Sequence, residues 1–285
     1  MPLMNNISKN SDNHCRHSGS DYSFFRTARL QGYHQSELPQ ELQNCLANPD
    51  LLLRSAEILK NSKTTTAGLF SAPDRKYFIK RYNNKGFLHT LKYAFRRSRP
   101  LKTLDVSIKL SALGIIVPEV FAAGIEKKYF LPHCGYLVTE SFPKPMTAAD
   151  SIAELTLKNN FPNFVSGICG ILKKMHDSGI AHGDLKMPNI LCLKKPTDAF
   201  EYGLLDFDGA KISTHPLPRR TRIKELARVI SSWYRVCRAA GIELNDTNAV
   251  KIAFINKYFE FTGHDLTGKK IDRRIDYLAG RVRKN

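Results

Sequence analysis

His182-Gly183-Asp184-Leu185-Lys186-Met187-Pro188-Asn189-Ile190-Leu191 is the stretch on which the reading of this chain turns. Before it, Phe161, Phe164, Val165, Ile168, Ile171, Leu172 and Met175 recur at helical spacing, which predicts a helix with one apolar face that stops near Gly179. After it, Ile190 to Leu193 is a short apolar run with strand character. The polar groups between them therefore belong to a connecting loop. Phosphoryl transfer to a hydroxyl needs a carboxylate near the acceptor and oxygen ligands for the metal that gathers the phosphates. Asp184 can orient such a hydroxyl and take its proton. Asn189, five residues on, can offer a neutral oxygen to Mg²⁺, which prefers hard oxygen donors. Lys186 can offset charge on the transferred group, and His182 reads as a residue that fixes the loop.

Working outward, Leu204-Leu205-Asp206-Phe207-Asp208-Gly209 follows a second short strand predicted over Phe200 to Leu205. Asp206, at the strand end, is the expected second metal ligand. Taken alone, an acidic pair after a strand is as readily a solvated turn. The two motifs together, in this order and with these flanking strands, are far more specific than either. A third element is Lys80 within Tyr77-Phe78-Ile79-Lys80-Arg81-Tyr82, placed to reach the α- and β-phosphates of ATP. A lone strand lysine would otherwise be read as a surface side chain with its stem laid on apolar neighbours. Lys60 to Gly68, where a phosphate-covering loop belongs, is Ser/Thr-rich and lacks G-x-G-x-x-G. Backbone groups from Glu140 to Phe142 are the expected support for the adenine.

The surrounding pattern predicts an α+β fold of two lobes around a shared cleft. Strands over Ser55 to Leu59, Thr65 to Ser71, Lys76 to Tyr82, Val120 to Ile125 and Gly135 to Glu140 give a small five-stranded N-lobe. One helix, between Ser98 and Leu113, interrupts them and stops at Gly114. Pro143 and Pro145 form a hinge. The C-lobe is mainly helical, with further helices about Thr221 to Ala239, Thr247 to Phe261 and Lys269 to Arg283. The expected division is a partly flexible extension over 1–50, an N-lobe over 51–141 and a C-lobe over 142–285. The Ser-, Asn- and His-rich start, to about Gly19, reads as a tail.

Composition narrows the setting. The formal net charge is +18 across 285 residues, which calls for an anionic partner. None of the six cysteines forms a C-x-x-C pair, so metal or disulfide use is not expected and a reducing compartment is. Met1 to Arg26 has no apolar core and no run approaches the ~18 apolar residues of a membrane span. The expected location is the cytoplasm.

These residues resemble the protein-kinase-like superfamily and, more narrowly, the lipopolysaccharide core kinase (Kdo/WaaP, heptose or Kdo kinase) family of Gram-negative bacteria. The narrower likeness runs through Ile79-Lys80-Arg81-Tyr82-Asn83, Lys85-Gly86, His89, Ser98-Arg99, Leu110, Gly114-Ile115, Pro118 and Ala122. It continues through His182-Gly183-Asp184, Asp206-Phe207 and Glu225-Leu226-Ala227-Arg228, covering roughly Arg54 to Tyr234. The resemblance implies transfer of the γ-phosphoryl group of ATP to a sugar hydroxyl of the lipopolysaccharide inner core, with Mg²⁺, on the cytoplasmic side. Three departures from typical protein kinases stand out. The first helix offers Asp105 as its only acid, where a glutamate usually pairs with the strand lysine. Asp208 replaces the glycine that ends the usual triplet, and no A-P-E or long activation loop follows.

The charge is distributed in three stretches. Lys80, Arg81, Lys85, Lys92, Arg96, Arg97, Arg99 and Lys102 run without an acid and are interleaved with Tyr82, Phe87, Tyr93 and Phe95. That mixture suits an anionic bilayer surface. The others are Arg219, Arg220, Arg222 and Lys224, and the terminal group around Lys269, Lys270, Arg273, Arg274, Arg281, Arg283 and Lys284. Expected partners are the core glycolipid, or another anionic sugar substrate, and the inner membrane surface, bound peripherally. No recognised nucleic-acid module is present. Competing readings are a kinase of another small-molecule or protein hydroxyl, and a pseudokinase that binds without catalysis.

Overall fold

A computed structural model of the chain describes residues 15–17, 20–43, 46, 48–72, 75–83, 98–128, 131–142, 147–157, 160–243 and 246–280. The chain divides into two compact units, Met1–Ala112 with Pro118–Pro143, and Leu113–Val117 with Lys144–Asn285. The hinge prolines Pro143 and Pro145 lie outside the described residues. So do residues 84–97, with Lys85, Lys92, Arg96 and Arg97 of the first basic stretch, and residues 281–285.

The first unit is built on an antiparallel sheet of β1 (Cys15–His17), β2 (Ser20–Arg26), β3 (Leu30–Gln35), β4 (Glu57–Asn61), β5 (Thr65–Ser71), β6 (Lys76–Tyr82), β7 (Val120–Lys128) and β8 (Leu131–Glu140). Its order is β1-β2-β3-β7-β8-β6-β5-β4. Among the described residues, the expected sheet of five strands is thus the β7-β8-β6-β5-β4 end of one of eight. What extends it is the pairing of β3 with β7, in which Gly32 lies opposite Gly124. A Cβ on Gly32 would come within 2.1 Å of the Ala123 carbonyl oxygen, so only glycine allows the strands to close there.

Strand alternation sends side chains to two covered faces. Tyr77 and Ile79 go to one, with Leu38, Leu42, Leu52, Leu53, Phe121 and Val138. That face lies under the short helices α1 (Gln40–Gln43) and α2 (Asp50–Ser55). Tyr82 goes to the other, with Tyr22, Val120, Ala123, Leu137 and Leu104 of α3 (Arg99–Ala112). The helix α3 ends as Gly114 takes a left-handed φ of 66°.

The second unit contains α4 (Ile152–Leu155), α5 (Asn160–Asp177), α6 (Arg219–Ala239), α7 (Thr247–Thr262) and α8 (Lys269–Gly280). The apolar stripe of α5 buries Phe164, Val165, Ile168, Leu172 and Met175. Phe164 packs against Trp233 of α6 and Phe254 of α7, with ring centroids 5.2 and 6.1 Å apart. Two small ribbons lie on this helical base. In one, β10 (Ile190–Lys194) pairs with β11 (Phe200–Leu204); in the other, β12 (Lys211–Ile212) pairs with β9 (Ile180–Ala181). The ribbons hold the loops between them at fixed spacing.

Candidate active site

The loop from His182 to Asn189 leaves β9 and enters β10 through a single 3₁₀ turn, Met187–Asn189, opened by Pro188. Its geometry is set mostly by groups outside the loop. The buried Glu225 carboxylate of α6 accepts from the backbone N–H of His182 at 2.8 Å and of Gly183 at 3.2 Å. Its other oxygen takes Arg228 at 2.6 Å. Ser232, two turns along α6, accepts from the Met187 N–H at 2.9 Å. The His182 and Met187 donors are buried and the Gly183 donor partly so, and an unmet N–H away from water is costly.

The His182 ring is fully buried and joins two backbone groups. Its Nε2 donates to the Leu205 carbonyl at 2.9 Å, and its Nδ1 accepts from the Asp184 N–H at 3.4 Å. That pattern requires a neutral imidazole, and burial holds its pKa below the usual histidine value against the pull of Glu225. Phe207 packs on the ring, 5.4 Å between centroids. His182 therefore ties the loop to Leu205, the residue between β11 and Asp206, and so fixes the loop structurally.

Asp184, Lys186 and Asn189 come together. Lys186 Nζ lies 2.8 Å from Asp184 Oδ2, and Asn189 donates through Nδ2 to the Asp184 carbonyl at 2.9 Å. The Asp184 side chain is half exposed, while Asn189 is buried. Asn189 also accepts, through its backbone carbonyl, from the Leu205 N–H at 2.9 Å, and Ile190 pairs with Leu204. Asp206, one residue past Leu205, is thereby kept at the same end of the ribbon. It takes a left-handed conformation, φ 61° and ψ 76°, before the 3₁₀ turn Phe207–Gly209. Non-glycine residues seldom do so, though aspartate tolerates it better than most, and such strain gathers at functional sites. Gly183 (φ 84°) and Gly209 meet backbone to backbone, since a Cβ on Gly183 would lie 2.0 Å from the Gly209 oxygen. Two loops that the sequence separates are pressed into one site.

The oxygens here suit a hard cation. With Nδ2 directed at Asp184, Asn189 turns its amide oxygen the opposite way, and Asp206 presents an exposed carboxylate. Among the described residues no cluster of three or more His, Cys, Asp or Glu side chains forms a cage. Mg²⁺ needs none, since it is usually held by one or two protein oxygens together with substrate phosphates and water.

Lys80, Glu140 and Phe142 belong to the first unit. Lys80 shares a sheet face with Tyr82 and carries its ammonium 5.3 Å from that ring's centre. The Glu140 N–H donates to the Glu119 carbonyl at 2.8 Å, and its own carbonyl accepts from the Thr139 hydroxyl at 3.0 Å. The second lone pair of that carbonyl is what Glu140 can present to a base edge. Glu225 and Ser232 were not anticipated as site residues. A signal existed: Glu225 is an acid set among Ile223, Leu226, Ala227, Val229 and Ile230, on the buried face of an amphipathic helix.

The model of the lipopolysaccharide kinase (Kdo/WaaP) family matches residues 45–258, about three quarters of the chain. The chain belongs to that family. It is a phosphotransferase of the class that acts on a sugar hydroxyl. The fold agrees: a solved structure described as WaaP in complex with acyl carrier protein is similar, with a TM-score of 0.58 and 17% identity over 90% of this chain and 97% of that one. A kinase domain of Mycobacterium tuberculosis PknI matches more loosely, at a TM-score of 0.42 and 13% identity over 79% of this chain and 94% of that one. No curated protein sequence matches the chain. Among the described residues of this Kdo/WaaP-family protein no helix is long and apolar enough to cross a membrane.

Proposed function

We propose that this chain transfers the γ-phosphoryl group of ATP to a hydroxyl of heptose or Kdo in the lipopolysaccharide inner core, working peripherally at the cytoplasmic face of the inner membrane. The observation that carries the reading is the bonded set Asp184, Lys186 and Asn189, held on a loop that Glu225 and His182 fix from beneath. Asp184 has one carboxylate oxygen on Lys186; the other accepts the hydrogen of the acceptor hydroxyl, orients its oxygen for attack and takes its proton. Lys186 then faces the charge that builds on the transferred group. Asn189 and Asp206 would hold a Mg²⁺, which neutralises phosphate charge during transfer. Lys80 is assigned to the α- and β-phosphates, and the backbone of Glu140 to Phe142 to the adenine. Family membership supports a sugar acceptor.

The direct test is ATP-dependent phosphorylation of deacylated core oligosaccharide, followed by mass spectrometry, for wild type and Asp184→Asn. The substitution should slow transfer by about 10²–10⁴-fold, the usual cost of losing a general base. Equal rates for the two proteins, or no phosphate gained by any core sugar, would reject the assignment.

A further inference from the structure

One group of side chains around the catalytic loop has no part in the chemistry above: Lys211, Lys224, Arg228 and Arg274. Three different elements deliver them. Lys211 is on β12, paired in register with Ala181, the residue immediately before His182. Lys224 and Arg228 are four residues apart on α6, hence on one helix face. They flank Glu225, whose carboxylate holds the N–H groups of His182 and Gly183. Arg274 comes from α8, which packs along α6.

The other three cations all act on Lys224. Lys224 is held below the ordinary lysine pKa by Arg228 above all, then by burial, and then by Arg274 and Lys211. Glu225 is the one acid that opposes this on Lys224, and it is already engaged by two backbone donors and by Arg228. Within the described residues the Arg274 Nε is buried with no hydrogen-bond partner. Lys211 and Lys224 are exposed. Solvated helix faces spread like charges apart; here three elements collect them at the root of the loop that carries Asp184. Such a collection suits an anion with several acceptor oxygens.

We infer that Lys211, Lys224, Arg228 and Arg274 form a subsite for an oxyanion, a carboxylate or a phosphate ester, borne by the acceptor sugar beside the hydroxyl that Asp184 orients. This rests on the sugar-kinase reading and narrows it: the acceptor is anionic before it is phosphorylated. The guanidinium of Arg228 has further N–H groups beyond the one on Glu225, and the two lysines can approach an oxyanion from the solvent side.

The test uses the full-length protein and the exposed pair, K211E/K224E, with K211R/K224R as the conservative control. Four acceptors are compared: a neutral heptoside, the same heptoside carrying a phosphate ester, a Kdo glycoside, and its methyl ester. The charge reversal should raise KM for the phosphorylated heptoside, the Kdo glycoside or both by about ten-fold. The neutral heptoside and the ester should be unaffected, as should KM for ATP, and the arginine control should behave as wild type. Which anionic acceptor responds says whether phosphate or carboxylate is read. An unchanged KM for both anionic acceptors, or an equal rise for charged and neutral ones, would overturn the subsite while leaving the kinase reading intact. If wild type phosphorylates none of the four, calorimetric titration still decides: tighter binding of an anionic glycoside by wild type than by K211E/K224E supports the subsite, and equal binding overturns it.

Discussion

The Glu225 carboxylate lies 2.8 Å from the His182 nitrogen and 3.2 Å from that of Gly183, bridging α6 to the catalytic loop across more than forty residues of sequence. A buried acid that receives two backbone donors and an arginine is a fixed point for everything the loop carries. Replacing Glu225 with alanine strands the buried His182 N–H and the partly buried Gly183 N–H. The Glu225→Ala protein should lose about 3 kcal/mol in chemical denaturation. Its turnover should fall while KM for ATP holds. Glu225→Gln, which keeps one acceptor oxygen, should be milder on both measures.

Gly183 offers a second test of how the loop is held. Its φ of 84° is one that alanine adopts only at a cost of about 1–2 kcal/mol. An added methyl would also meet the Gly209 carbonyl oxygen at 2.0 Å. Gly241 has a similar φ of 69° but nothing within 4 Å of its notional Cβ. Gly241→Ala should therefore show only the conformational penalty and full activity. Gly183→Ala should be distinctly less stable and should lose turnover, because the backbone contact that joins the Asp184 and Asp206 loops is forced open.

The metal assignment can be separated from the base assignment. Asp206→Asn removes a charged oxygen ligand and should raise the Mg²⁺ concentration needed for nucleotide binding, read by fluorescence titration with an ATP analogue. Asn189→Asp keeps an oxygen for the metal but loses the donor to the Asp184 carbonyl. It should bind the Mg²⁺–nucleotide and still turn over slowly. If both substitutions leave the Mg²⁺ requirement and the rate untouched, neither residue is a ligand.

Acid should destabilise the second unit through its buried histidines. Arg222 donates to the Tyr258 oxygen at 3.0 Å, and that hydroxyl also pairs with His176 Nδ1, 2.8 Å away. Burial, and then Arg222, push the His176 pKa from 6.5 down to about 3, and burial lowers that of His182 too. Below pH 6.5 the unfolded chain takes up protons that the folded chain refuses, so stability falls as pH drops through that window toward about 3. The slope should approach ~1.4 kcal/mol per pH unit for His176, with His182 adding in the same direction, and vanish above the window. Urea unfolding between about pH 7 and 4 measures it. His176→Gln, which can still bond the Tyr258 hydroxyl, should flatten the curve.

Association with anionic vesicles should weaken as salt is added, because exposed charges are screened. Removing charge at Arg96, Arg97 and Arg99 should weaken it further in co-sedimentation. Binding indifferent to both changes would remove the bilayer surface as a partner.

The sequence made the catalytic loop and Asp206 legible because their chemistry is local: a few residue types at fixed spacing between a helix and short strands. Lys80 was legible only in their company. Glu225 was not, since its partners lie far back in the chain, and an acid in a helix reads as surface until its face is known to be buried. The strands β2 and β3 were missed for a different reason. Tyr22, Phe25 and Leu30 are their buried apolar residues, set among serines, glutamine and arginine, so their periodicity is weak. What recruits β3 is the close approach at Gly32, a property of two backbones rather than of a pattern.

The pairing of Lys211 and Ile212 with Ala181 and Ile180 has one more consequence. The chain goes from Asp206 to the start of α6 at Arg219 in a short span, and the first part of that span is stitched to the strand that feeds the catalytic loop. A segment so short and pinned at its start leaves little free chain for the order–disorder switch by which covalent modification arms many signalling kinases.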